Sequence, residues 1–597
     1  MLLRRMATDR PEAHTLLSIL LAAGVSTSVS SIVTTQATAD PDTRAVITDP
    51  PEQNPLPIGM TTEEEALRHT IGAGVTATQP PSGPIRQCAE WEPVTGVLVR
   101  YPFGHPYTVL REMAEEIELW VLVASVSQQN TCNTALQNNG VNMANVHYVI
   151  AATNSIWTRD YGPQFVFDGN GAPGIVDHVY NRPRPLDDQV NYTVGTSWTT
   201  QVFGSSLIHT GGNYLCDGHG NGYSTDLVWD ENPSLSHAQV AQAMEDYLGI
   251  TDYRVFDDVS IGGIHHLDVW GKLLDERTFL VKQVPTNHPD YARCEARAAE
   301  LATRLDPYGQ PLRVRRVYCD WINGSEVAAY TNSVILNRKV LVPTFGIAAD
   351  AAALAKYQEL MPGYEIIGFT GSWLSDDAIH CRAMGIHDKQ MMYVDMAPLP
   401  DTLGTNGPFP VEVRLTDYSN LGLDQAECIL YWENTTIPSS GYTELQPIGP
   451  IDMYGADIPP QPSGTVVEYY VVGQDVSGRS WVRPGGAPFG AYSAYVAGNA
   501  TDVPEFTTGL VLEPLSPNPF TDGTTLRFSS VLSGGSIWIV DTAGREVMRW
   551  NSPVGAGQRE IAWDGRDQRG RQVPAGVYLI RIEAGGQQRS ARAVRIR

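Results

Sequence analysis

Between residues 86 and 395 the chain repeats one pattern: an apolar run, an amphipathic segment and another apolar run. Gly96-Val97-Leu98-Val99-Arg100-Tyr101 reads as a strand, Leu110 to Ile117 as a helix and Leu119-Trp120-Val121-Leu122-Val123 as a second strand, with Val146 to Ala151 closing the unit. The cadence returns in strand-like Thr278-Phe279-Leu280-Val281, a helical 291–304 and the alternating Leu312 to Val317. Val334-Ile335-Leu336 and Val340-Leu341-Val342 bracket a turn, 350–360 is an alanine-rich helix, and Tyr364 to Phe369 is a further strand. An amphipathic helix between two strands has to bury its apolar stripe on a sheet, so repeated strand–helix–strand units predict stacked α/β modules. Periodicity fixes neither their number nor how they close.

After 395 the helical period stops. From 396 to 505, Val411, Val413 and Leu415 alternate with charged residues, Val466 to Val472 is β-branched and aromatic, and Pro and Gly punctuate the turns. This is the pattern of a β-sandwich of about 100 residues. A second β-rich unit runs from 510 to 597 and opens with Pro517-Asn518-Pro519-Phe520. Its strand candidates are Leu526-Arg527-Phe528, Ser536-Ile537-Trp538-Ile539-Val540 and Gly576-Val577-Tyr578-Leu579-Ile580, with turns at Ala543-Gly544 and Asp564-Gly565. Several domains suit a length of 597 residues. A formal net charge of -25 disfavours phosphate backbones and anionic lipid, so no nucleic-acid partner is expected.

The N-terminus predicts an export signal over 1–39. Arg4 and Arg5 precede the apolar Leu16 to Ala23, and Ala37-Thr38-Ala39 offers small residues for cleavage. That run is short for a bilayer and no later one is longer, so no transmembrane helix is expected. Residues 40–85, rich in Pro, Thr and Asp as in Asp49-Pro50-Pro51, read as a linker or propeptide. Seven scattered cysteines include no C-x-x-C pair, which argues against structural zinc, and their odd number leaves at least one without an intrachain partner.

Four clusters in the α/β region could carry chemistry. Trp157-Thr158-Arg159-Asp160-Tyr161-Gly162-Pro163 follows an apolar strand, where loops commonly hold active-site groups; alone such a cluster is more often a turn with a structural Arg–Asp pair. His265-His266-Leu267-Asp268, taken as strand, would point His266 and Asp268 to one face, as a catalytic or a structural pair. Cys381, after His380, is a nucleophile only as a thiolate and otherwise an inert buried thiol. Tyr180-Asn181-Arg182-Pro183-Arg184-Pro185 holds two guanidinium forks on a proline-stiffened backbone, suited to a carboxylate or simply solvated. His209, His219, His265, His266 and Asp268 lack the spacing of a metal site, and no catalytic metal or cofactor is expected.

Taken in order, Trp157-x-Arg159-Asp160-x-Gly162-Pro163, Gly211-Gly212-Asn213 with Asp217-Gly218, His266-x-Asp268, Thr331-Asn332-Ser333 and His380-Cys381-Arg382 resemble the guanidino-group-modifying, or pentein, superfamily. Within it the likeness is to the Porphyromonas-type peptidylarginine deiminases, relatives of the agmatine deiminases, over about 90 to 390. The resemblance implies a propeller of five ββαβ-type modules around a central site. It implies catalytic roles for Asp160, His266, Asp268 and Cys381, support from Asn332, and Trp157 as an aromatic wall. Two carboxylates would grip the planar cation, the sulfur would attack its carbon, and His266 would serve ammonia and then water.

The 180–185 segment matches the one that, in the peptidylarginine type, turns two arginines toward the substrate's main chain and terminal carboxylate; here these are Arg182 and Arg184. Arginine-containing peptides or proteins, favouring C-terminal arginine, are the expected substrate. Agmatine or free arginine, a thiol protease or amidase, and a non-catalytic surface adhesin are the alternatives. The 396–505 unit resembles the immunoglobulin-like domain that follows this catalytic domain. Pro517-Asn518-Pro519-Phe520, Trp563-Asp564-Gly565 and Val573-Pro574-Ala575-Gly576-Val577-Tyr578 resemble a type IX secretion sorting domain. That likeness implies the secretion machinery as a partner, and secretion or cell-surface attachment after export through the periplasm.

Overall fold

The computed structural model describes residues 56–449, 451–496, 511–512, 515, 520–530, 535–541, 545–550, 557–584 and 587–595. The expected signal over 1–39, Pro517-Asn518-Pro519 and the Ala543-Gly544 turn lie outside them.

Five small sheets build the α/β region, four of them an antiparallel hairpin followed by a helix and a parallel strand. In one, Gly271–Leu273 turns back into Thr278–Gln283, the helix Tyr291–Leu301 crosses over, and Arg313–Tyr318 returns parallel. A parallel neighbour requires such a crossover, which is why helix and strand periods alternate in the sequence. Val334–Leu336, Lys339–Thr344, the helix Asp350–Leu360 and Glu365–Thr370 repeat the plan. So do Leu215–Cys216, Asn221–Thr225, His237–Leu248 and Asp252–Phe256, and Gln164–Phe167, Pro173–Tyr180, Val190–Ser197 and Gln201–His209.

The remaining module is assembled from both ends of the region. Val94–Arg100, Glu118–Val123 and Val146–Ile150 run parallel, and Met384–His387 pairs antiparallel with Val94–Arg100. This last pairing closes the ring of five, the propeller implied by the resemblance. Local chemistry supports the elements. The helix Tyr107–Glu116 buries Val109, Leu110, Met113 and Ala114 along one stripe. The helix His237–Leu248 opens on a Ser236–Gln239 capping box and ends at Gly249 with φ 70°. The helix expected over 291–304 ends at Leu301, where i→i+3 bonds from Thr303 and Arg304 tighten the chain into a turn.

The following β-unit is a two-sheet sandwich in which Phe409, Val411, Val413 and Leu415 are buried in alternation along Phe409–Asp417. Met392–Asp395 pairs with this strand, so the sandwich begins a few residues before the expected boundary at 395/396. The C-terminal unit likewise forms two antiparallel sheets, joined over Leu526, Ile539, Trp563 and Ile580.

In its described part the segment expected as a linker or propeptide over 40–85 is held by the α/β modules. Ile58 and Glu64 are buried against the catalytic modules, and Thr62–Ala66 is a capped helical turn. Composition alone suggested a free segment because its partners lie more than a hundred residues away. Among the described residues no helix is long and apolar enough to cross a membrane.

Candidate active site

The sequence clusters occupy equivalent places in the modules. The helical turn Thr158–Tyr161 leads into Gln164–Phe167, and the 3-10 turn Gly211–Asn213 into Leu215–Cys216. Leu267–Val269 leads into Gly271–Leu273, the turn at 330–331 into Val334–Leu336, and His380–Arg382 into Met384–His387. Each module thus offers one tight turn at the entrance to its hairpin, and the five turns meet at the centre of the ring. His266 and Asp268 are therefore not on a strand, as the His-x-Asp spacing suggested. The 3-10 turn brings both inward, after His265 at φ 60°.

Gly212 marks where these side chains converge. A methyl group there would lie 2.6 Å from Asp160 Oδ1, 2.7 Å from His266 Nδ1 and 3.4 Å from Asp268 Oδ2. Cys381 Sγ is 3.6 Å from Asp268 Oδ2, so Asp160, His266, Asp268 and Cys381 form one group, all at 0 % exposure. Asn332 holds the nucleophile's turn: its Oδ1 accepts from the backbone N–H of Ala378, His380 and Cys381, and its Nδ2 lies 3.1 Å from Cys381 Sγ.

Both oxygens of Asp160, both ring nitrogens of His266 and Asp268 Oδ1 make no hydrogen bond within the chain. Each buried polar atom left so costs about 1–3 kcal/mol. A cluster of them, all acceptors except for what the imidazole can donate, is a site shaped for a hydrogen-bond-rich cation. The structural Arg–Asp pair considered for Arg159 and Asp160 is not formed.

The electrostatics agree. Burial and the neighbouring Asp268 charge raise Asp160 to about 7, against the pull of Arg182, Thr210 and Arg184. Burial lowers His266 to about 3, Asp268 opposing and Arg182 and His265 adding to the shift. Burial, then Asp268, Asp377 and Asp160, push the Cys381 thiol well up, with only Asn332 easing it. Without a cation between the carboxylates, the thiol stays protonated.

Some contributing residues were not singled out in the sequence. His380 does not face the sulfur. Its ring bridges Asp268 Oδ2 at 2.7 Å and Glu90 Oε2 at 3.0 Å, and Glu90 is held in turn by Lys272 Nζ at 2.5 Å. Asn213 Oδ1 accepts from Leu267 N and from Thr225, fixing the turn that carries Asp268. Only the adjacency of His380 to Cys381 and the Gly-Gly-Asn run signalled these parts. All seven cysteines are buried free thiols.

The charges of Arg182 and Arg184 act on Asp160, and the N-terminal segment engages both arginines and Trp157. Trp157 Nε1 donates to Pro57 O at 3.2 Å and Arg182 Nε to Ile58 O at 3.1 Å. Arg184 Nε donates to Glu64 Oε1 at 2.8 Å, while its Nη2 reaches Glu64 Oε2, Pro57 O and Gly59 O.

A family model described as Porphyromonas-type peptidyl-arginine deiminase matches residues 86–386, and one described as FlgD Ig-like domain matches 520–588. The agmatine deiminase of Pseudomonas aeruginosa (strain LESB58) is 24% identical over 351 residues, covering 50% of this chain and 94% of its own. That of Pseudomonas putida is 24% identical over 348 residues, covering 49% of this chain and 93% of its own. Among solved structures, an arginine deiminase candidate from Porphyromonas gingivalis is 21% identical with a TM-score of 0.46, covering 51% of this chain and 99% of that one. The agmatine deiminase of Enterococcus faecalis is 22% identical with the same TM-score of 0.46, covering 51% and 96%.

Proposed function

The chain belongs to the Porphyromonas-type peptidyl-arginine deiminase family, and from that premise we propose that it converts arginine in peptides, especially at the C-terminus, to citrulline and ammonia. Deimination of a guanidino group is the family's chemistry; the peptide substrate is the finer reading. One observation carries the deimination: Asp160, His266 and Asp268 converge within 3.4 Å of a single point at Gly212, with Cys381 beside Asp268.

The reaction follows from that geometry. Asp160 and Asp268 take opposite edges of the guanidinium, whose charge offsets the two carboxylates that keep the thiol neutral. Relieved of that repulsion, Cys381 gives its proton to the His266 imidazole and its sulfur bonds to the central carbon. His266, neutral until then, carries a proton to the nitrogen that leaves as ammonia, which collapses the tetrahedral adduct to a thiouronium. The same imidazole takes a proton from water as the oxygen attacks. The C–S bond then breaks, leaving the ureido group of citrulline and a regenerated thiol. His380 and Glu90 act behind Asp268 by fixing its orientation.

Peptides are favoured over agmatine because two arginines stand beside the site, and in the structure Arg184 already grips a carboxylate. The test is citrulline release from a C-terminal-arginine peptide, its amide and agmatine, by wild type and Cys381→Ala. We expect the first to be preferred, and Arg182→Ala to weaken it far more than the amide. Equal loss on both peptides defeats the substrate reading. Peptide cleavage without citrulline supports a thiol protease, and agmatine turnover alone the agmatine reading. Export and a sorting role for 510–597 are proposed on the N-terminal pattern and the Trp563-Asp564-Gly565 likeness; removing 510–597 should then retain the protein in the periplasm.

A further inference from the structure

The segment ahead of the first module is bound to Trp157, Arg182 and Arg184, the residues read above as contacts of the substrate. In 57–72 only Ile58 and Glu64 are buried, one an apolar and one an ionic anchor, and further along Thr78 is hydrogen-bonded to Gly204 and Tyr247. Ile58 joins the core cluster that contains Trp157, Ile264 and Cys381. Glu64 belongs to a capping box in which its backbone N–H donates to Thr61 Oγ1 at 3.1 Å and its Oε2 accepts from Thr61 N at 2.9 Å. The box aims the Glu64 carboxylate at Arg184, which meets it with a two-pronged fork at 2.8 and 3.0 Å. A fork of this kind is how a guanidinium takes any carboxylate, a peptide's terminal one included. Pro57, Ile58 and Gly59 add backbone carbonyls to Trp157, Arg182 and Arg184. The exposed stretch 73–80, with open space around Gly74, tethers the segment to the modules.

We propose that residues 57–64 are a tethered, displaceable occupant of the substrate's main-chain subsite, with the Glu64 carboxylate holding the place of a C-terminal arginine's carboxylate. This rests on the reading of Arg182 and Arg184 as the carboxylate-recognising pair. Glu64 thereby determines specificity. A peptide with a free terminal carboxylate competes with it for Arg184, whereas an amidated peptide or agmatine has nothing to put in its place. The burial of all four catalytic candidates fits a resting state that opens when the segment is exchanged. Burial would raise Glu64, but Arg184, the Thr61 backbone and Arg182 together hold it below the usual carboxylate range, so the fork stays charged at neutral pH.

The test uses the full chain with Glu64→Gln, which keeps the shape of the box and removes the charge, and exposed Glu63→Gln as a control. Replacing a charge-assisted fork by a neutral one should lower KM for a C-terminal-arginine peptide about tenfold or more. The amidated peptide should change less than about twofold, and Glu63→Gln should leave both as they were. No change, or an equal gain on both peptides, overturns the carboxylate mimicry. If no protein deiminates any guanidino compound, the functional reading has failed by itself. The occupant is then judged by titrating Cys381→Ala, with and without Glu64→Gln, with the two peptides. Selective tightening of the carboxylate form sustains the inference, and its absence rejects it.

Discussion

Asp160 shows how the site stores a demand for its ligand. Its carboxyl titrates at about 7 in the folded chain, against about 4 when unfolded. Between those values the folded protein holds a proton that the unfolded chain has released, so stability falls as pH rises. The penalty is complete above 7, at on the order of 4 kcal/mol. Asp160→Asn should therefore raise Tm relative to wild type at pH 8 and match it near pH 4. His266, lowered to about 3, costs stability only as pH drops below its usual range, so it does not enter the comparison at pH 8. A Tm difference independent of pH would refute the assignment. Gly212 gives a second prediction at this scale. Its backbone tolerates alanine, yet the methyl would sit 2.6 Å from Asp160 Oδ1, in the place of the guanidinium. Gly212→Ala should abolish measurable deimination while unfolding stays cooperative, destabilised by about 1–3 kcal/mol; calorimetry and citrulline assays together decide it.

At the scale of elements, the five hairpin-entry turns hold the chemistry, and Asn332 shows how. One side-chain oxygen gathers three backbone donors of the turn that carries Cys381. Asn332→Ala would strand those N–H groups and let the sulfur drift. Since a small misplacement of reacting atoms costs about 100-fold, kcat should fall by that order while KM changes little. A drop in KM alone would contradict the role. These turns also explain what could be read from sequence. Motifs such as Trp157-x-Arg159-Asp160 stood out because a dense run of Trp, Arg, Asp, Gly and Pro follows the apolar Val146 to Ala151. His266-x-Asp268 named two residues that do converge, but in the wrong geometry, because a 3-10 turn and a strand of three residues leave the same spacing. Ring closure was not legible in the periodicity and came only with the resemblance, since Met384–His387 pairs with Val94–Arg100 across nearly the whole region. Nor was the packing of Ile58 and Glu64, whose partners no local pattern reveals.

On the scale of the molecule, the sandwich is docked away from the chemistry. The site occupies the turns entering the hairpins, whereas the sandwich meets the opposite tips. Tyr418 stacks on Phe167 at a centroid distance of 3.6 Å, His219 approaches Asp395, and Arg479 reaches Asp388 at 3.2 Å. At the tip between Gly271–Leu273 and Thr278–Gln283, Glu276 forms a buried ion pair with Arg483, and the hydroxyls of Tyr308 and Tyr492 close over it. Burial disfavours the Glu276 charge, but Arg483 holds it down at about 2. Removing one partner of a buried pair leaves an uncompensated charge, at about 3–5 kcal/mol. Arg483→Ala should therefore lower Tm by several degrees at pH 7. The gap should close as pH falls toward 2, where protonated Glu276 no longer needs its partner. Because the damage lies at the far end of each hairpin, kcat measured well below Tm should stay within about twofold of wild type. A loss of kcat as large as that of Asn332→Ala would mean that the sandwich shapes the catalytic turns through the strands instead of clamping their tips.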